Sequence, residues 1–510
     1  MQHEVGDRHA GEQEHRQHQD ARPPPRLRGP PSAGHGPHIG GRRRPAKRFP
    51  AQRSPGTADE ADMTRRLPAV ATMVVLLLLT ACGTAPSPSR GGVGYPTGQP
   101  SVTLDFWYMP YGGPIQDRAV LQEAEKFHEA HPNITINPVR IEWSEALTRL
   151  STATTSGEGP DVTVMGTTWV GGFSALGALR PYTESEVAAV GGPDVFAAAS
   201  WSASHQLGSA EITALPWLTD VRALFYRKDV LKQAGVDPAT AFTDWPAFEK
   251  TLKKIKDSHG TVWPLAIGNE NNFGIIHNVA PFIWGSGGDL LNGTGDHSLL
   301  AEPPAVDGVA YYQRLVGLYD DPKAMKLTSS DVPEAFANGI GAITIDNSQS
   351  VGDYLSEPNR PGLRNGWGTA PMPAGKTGRF GFLGGSGLAI LKSAQHPDAA
   401  FEWVKYLTSE ESQRRYGVTS GLWPSRTAAI KGTRLETDPA YAAFREMIPA
   451  GKMYPSIPAW IVVESIIAKD LADLWQSDGA LTRPQIQAIL TKASADIDTA
   501  LKDPSQTGIK

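Results

Sequence analysis

Residues 101–109, SVTLDFWYM, alternate apolar and polar positions with the period of a strand and end in an aromatic cluster of Trp107 and Tyr108, with Tyr111 beyond. Gly112 and Gly113 then permit a sharp turn. Ala119, Val120, Ala124 and Phe127 recur at helical spacing, which predicts a helix over about 115–130, and 134–141 reads as a second strand. Strand, helix, strand in that order predicts an α/β fold with a parallel sheet, in which ligands gather at the carboxyl ends of the strands. That would place Trp107 and Tyr108 at a mouth. After a helix around 145–154, a short apolar strand over 162–165 ends at Gly166, Thr167, Thr168 and Trp169, a second strand end that carries an indole, before a helical turn over 170–176.

The stretch 214–235, ALPWLTDVRALFYRKDVLKQAG, joins an extended apolar segment to a strand-like run over 223–226 and a helix start at Asp229, with Gly235 past its end. Alternation sets Asp220 and Arg222 on one side of it. Downstream, Trp245 and Phe248 head an amphipathic helix that runs to Ile255, and NENNF (269–273, with Glu270 and Asn271) precedes a helix-to-loop stretch over 279–291 that carries Trp284. Helices follow at about 306–318 and 332–338. The strand 342–345 ends at Asp346, Asn347, Ser348 and Gln349; 366–375 is extended, and 382–390 is an apolar strand interrupted by Gly384 and Gly385. One helix is expected over 396–416, a turn over 421–426, and the last helices after Pro458 and Trp460.

The first hundred residues break this pattern. Residues 1–62 are basic, rich in proline and almost without aliphatic periodicity, so they are expected to be disordered, or to stem from a start codon placed too far upstream. From Met63 two arginines, an apolar run over 67–79 and small residues before Cys82 have the layout of a secretory signal over 63–81, too short for a span of ~20 residues. LTAC followed by Gly83 resembles the lipobox of bacterial lipoproteins, which implies lipidation of Cys82 and a membrane anchor there. Cys82 is the single cysteine in 510 residues, which excludes intrachain disulfides and cysteine metal sites. Residues 83–100 form a flexible tether. Residues 1–81 hold 13 basic and 8 acidic side chains, leaving 35 against 45 and a net charge of −10, a poor partner for nucleic acid.

Three catalytic patterns come close and fail. Gly375, Lys376 and Thr377 mimic the end of a P-loop, but its first glycine would fall at Ala370, and Pro371 and Pro373 stiffen the cradle. Gly384, Gly385 and Ser386 begin a nucleophile elbow whose closing glycine would be Leu388. His128 and His131 are an isolated pair on a polar helix end, so neither a metal nor a cofactor is expected. What remains is indoles and polar side chains at strand ends. Sugar faces stack on indoles and hydroxyls need Asp, Asn, Gln and Arg, a combination that suits carbohydrate. A glycoside hydrolase would also need a pair of carboxylates, and spacing selects none among Asp220, Glu270, Asp289, Asp346 and Glu464.

GPDV with WVGGFSALGAL, PWLTDVRALFYRKDVLKQAG, FIWGSGGDLLN, FANGIGAITIDN, GWGTAPMPAG with FLGGSGLAIL, HPDAAFEWVKYLTSEESQRRY and GLWPSR stand in this order behind the lipobox. Over residues 101–505 the chain resembles the extracellular solute-binding proteins of carbohydrate ABC importers, the maltose-binding-protein-like group. The resemblance implies two α/β lobes joined by a multi-crossing hinge around a ligand cleft, with lobe one at 101–217 plus 385–424 and lobe two at 218–384 plus 425–505. It implies ligand contacts at Thr168 and Trp169, at Asp220 and Arg222, at Asp346, Asn347 and Gln349, at a hinge segment of Gly384 and Gly385, and at an aromatic wall with Trp460. Trp107, Tyr108, Asn271 and Trp284 are further candidates from their places at strand and helix ends. Met165 and Gln349 stand where maltose-binding protein has indoles, which sets this chain apart from a maltodextrin binder. The implied partners are a small carbohydrate and permease subunits with a separate ATPase, and the implied state is a non-enzymatic monomer on the outer face of the membrane. The alternatives are a secreted glycosidase, or a sugar sensor or adhesin uncoupled from transport.

Overall fold

The computed structural model describes residues 101–509, apart from 112–113, 259, 269–273, 329–330, 476–479 and 504. The leader, the tether, Cys82, Glu270 and Asn271 lie outside the described residues. Nine strands occur among the described residues: β1 (Val102–Tyr108), β2 (Ile134–Arg140), β3 (Val162–Gly166), β4 (Leu215–Arg227), β5 (Ile343–Asn347), β6 (Trp367–Ala370), β7 (Gly381–Ile390), β8 (Trp423–Pro424) and β9 (Gly451–Lys452). Their order is β2-β1-β3-β7-β4-β5, with β6 and β8 also on β4 and β9 on β7. β1 runs parallel to β2 and β3, as helical crossovers require, whereas β7 is antiparallel to both β3 and β4.

Two buried cores flank one continuous strand. Leu104, Phe106, Phe127, Phe173, Trp217 and Trp403 belong to the first, and Leu224, Phe225, Phe248, Tyr312, Phe444 and Trp460 to the second. The chain passes between them in β4, where Leu218 packs in one core and Val221 in the other, in β7, between Leu383 and Leu388, and at Leu422 and Trp423. This is the two-lobed α/β architecture.

The extended segment and the strand-like run of the 214–235 stretch are one strand of 13 residues, all buried. Such a strand survives in the interior because its backbone is paired along its length, with β7 over its first half and with β5 and β6 over its second. Pro216, which has no N–H to give, sits at a register shift. The helix expected over 396–416 is two, Pro397–Leu407 and Glu410–Ser420. Ser409 breaks it by turning extended and accepting from the Ser412 N–H, the local hydrogen bond that makes serine a better cap than a helix interior residue.

Candidate functional site

A cavity of about 400 Å³ opens where the crossing strands meet both lobes. Thr168, Trp169, Asp220, Arg222, Asp346, Asn347 and Gly385 all line it, so the structure brings together seven of the residues singled out in the sequence. Asp220 and Arg222 are two apart on β4 and point the same way, 6% and 8% exposed, with the guanidinium 3.7 Å from the carboxylate. Their partners across the ladder are Gly384 and Asn347. Asp220 Oδ1 and Arg222 Nε have no hydrogen-bond partner among the described residues, although both are buried. Buried polar atoms left this way are costly unless a ligand completes them.

Asp346 and Asn347 arrive at the end of β5, next to Arg222. Asp346 accepts from the Asn347 N–H at 2.8 Å and from the Ser350 hydroxyl. Burial pushes its carboxyl up to about 6 even though Arg222 pulls the other way. Burial likewise raises Asp220 against the opposing pull of Arg222. His277, on the helix Gly274–Gly285, also lines the cavity, and burial first, then Arg222, holds its pKa well below the usual imidazole value.

The wall on the first lobe is aromatic. Trp143 lies 5.4 Å from Tyr111 on one side and 5.4 Å from Trp169 on the other, edge to face in both cases. Tyr111 is fixed by a hydrogen bond between its hydroxyl and Ser386 on β7. Opposite, the His277 ring stacks on Phe382 at 3.8 Å, and Glu464 completes the lining.

Several expected site residues lie elsewhere. Tyr108 shares the strand face of Leu104 and Phe106, so the period of two drives it into the first core, where its hydroxyl donates to Asp117 at 3.0 Å. Trp107 faces the other side of β1, half-buried, and does not line the cavity. Trp284 is buried in the second core with its indole N–H on Asp289, 2.9 Å away. Gln349 is fully buried as the first residue of the helix Gln349–Ser356, with Asp353 beside its amide. Trp460 is fully buried, stacks on Tyr454 at 4.6 Å and does not line the cavity. Gly384 does not line the cavity either; a side chain there would strike the Phe382 ring.

Trp143, Tyr111, His277 and Phe382 are not among the site residues expected from the sequence, and Glu464 stands there only as one of five carboxylates that a hydrolase could use. Only Glu464 left a sharp signal. It is the single charge within 460–468, WIVVESIIA, and stands four residues after Trp460, hence on the same helix face.

Gly385 has φ +133°, and a Cβ there would lie 2.1 Å from the Leu218 carbonyl oxygen, across the ladder where β4 and β7 pass between the lobes. Gly385→Ala is therefore expected to cost ~1–3 kcal/mol of stability from the backbone conformation alone. Urea unfolding of the two proteins checks this, and coincident midpoints would count against it.

The fold and site define the class, and the family follows from sequence: residues 112–414 match the bacterial extracellular solute-binding proteins, and the chain belongs to that family. The diacetylchitobiose-binding protein DasA of Streptomyces coelicolor is 25% identical over 411 residues, which cover 79% of this chain and 91% of DasA. The GacH receptor of Streptomyces glaucescens, solved unliganded and with acarbose, superposes with a TM-score of 0.68 at 21% identity, over 79% of this chain and all of that one (100%). Maltose-bound MalE3 of T. maritima gives 0.69 at 22% identity, over 79% and 99%.

Proposed function

We propose that the protein captures a sugar, a di- or oligosaccharide, in the interlobe cleft and delivers it to the permease of an ABC importer, held to the outer face of the membrane through Cys82. The observation that carries this reading is the pairing of an aromatic wall, Tyr111, Trp143 and Trp169, with buried hydrogen-bonding groups left incomplete on the crossing strand, Asp220 Oδ1 and Arg222 Nε. Rings supply faces for the apolar side of a pyranose, and the incomplete polar groups suit its hydroxyls. The sugar ligands named for DasA and MalE3 favour the same class. Sugar entering between the lobes favours their closed arrangement only to the extent that it binds that arrangement better, and the closed form is the one that docks on the permease.

A thermal-shift screen of the protein against mono-, di- and oligosaccharides tests the reading, since a ligand of the folded state raises its melting temperature. A hit recovered chemically intact supports capture; a cleaved one points to a glycosidase, and silence across the panel overturns the sugar assignment. With a hit in hand, Asp220→Ala is expected to weaken binding by ~1.5–3 kcal/mol, the worth of a charge-assisted hydrogen bond. Unchanged affinity by calorimetry would remove Asp220 from the site.

A further inference from the structure

Among the described residues, Glu464 is a carboxyl without a counter-ion in a cleft lined by more acid than base. It is 1% exposed, lines the cavity, and its Oε2 has no hydrogen-bond partner among the described residues. Around it stand Tyr454 and His277, joined at 3.1 Å through the tyrosine hydroxyl and Nδ1, and the buried Trp460 one turn earlier. The charged groups that share the cavity are Glu142, Asp220, Arg222, Asp331 and Asp346. On the helices packed against its own, Lys492 is committed to Asp470 and Asp496, Arg314 to Glu249 and Arg483 to Asp307.

We propose that the Glu464 carboxyl is a hydrogen-bond donor of the cleft, giving its proton's hydrogen bond to a hydroxyl or ether oxygen of an uncharged saccharide. The assignment rests on the sugar-binding reading above. Burial pushes this carboxyl up to about 8, and no charged neighbour among the described residues offsets it, so near neutral pH it carries a proton. A neutral acid can give the one thing that an ionised carboxylate cannot, a hydrogen bond to an acceptor oxygen. Ionisation of Glu464 then removes the donor and sets a bare charge against the sugar, so binding weakens as pH rises through this range. Asp346 titrates lower, at about 6.

Calorimetry with maltotriose and with diacetylchitobiose, at pH 7 and pH 9, on wild type, Glu464→Gln and Glu464→Leu tests this, each variant first checked for a cooperative melt. The wild-type affinity for the probe that binds is expected to fall about tenfold between the two pH values. Glu464→Gln keeps a donor that does not titrate, and its affinity is expected to be flat; Glu464→Leu is expected to bind weakly at both. A flat wild-type profile, a Glu464→Gln profile that keeps the slope, or a leucine variant that binds as well as glutamine overturns the assignment while leaving sugar binding in place. Failure of both probes and of the wider saccharide panel on wild type overturns the sugar reading, and this assignment with it.

Discussion

Arg222→Ala is expected to lower the stability of the ligand-free protein by about 3–5 kcal/mol at pH 7.5, the usual cost of stranding buried charges by deleting their partner. Arg222 is the single cation lining the cavity among the described residues. Its charge acts on Asp220, Asp346, Tyr111, His277 and Tyr454. Without it Asp220 and Asp346 remain buried with no cation to offset them, and both take up protons more readily. The deficit should therefore shrink on acidification to pH 5, where protonation does the work of the lost guanidinium. Urea unfolding at the two pH values reads this. An equal deficit at both would mean that the side chain serves as packing, not as charge.

The crossing strand was legible because its evidence is local. Polar residues two apart inside an apolar run must share a face, and Asp220 with Arg222 do. The same rule, applied to β1, would have sent Tyr108 inward with Phe106; the expectation that it stood at a mouth gave strand direction more weight than side-chain alternation. Indoles were harder. Trp143, Trp169, Trp284 and Trp460 look alike in sequence, but only the first two line the cavity, since which face of a helix end meets the opposite lobe depends on packing between residues hundreds of positions apart. Gln349 was misplaced for a similar reason: β5 passes straight into a helix, and the turn carries Asp346 and Asn347 to the cavity while rotating Gln349 into the interior.

Glu464 joins that long-range geometry to a measurable consequence even without ligand. Its unfolded pKa is near 4.3 and burial raises the folded value to about 8, so the folded state holds this proton the more tightly. Its contribution to stability is thus full below about pH 4.3 and is lost as pH climbs to 8, after which the loss is constant. His277 acts with the opposite dependence: it is held neutral when folded, so its cost appears as pH falls below its unfolded value near 6.5. Wild-type stability alone would mix the two, and the comparison with Glu464→Gln separates them, since that variant keeps His277 and the shape of the side chain. The stability of Glu464→Gln relative to wild type is expected to rise by roughly 4 kcal/mol between pH 4.5 and 8.5. Chemical unfolding of both proteins across that range measures it. A difference independent of pH would place an ordinary, solvated carboxylate at position 464, and the cleft would then lack its neutral donor.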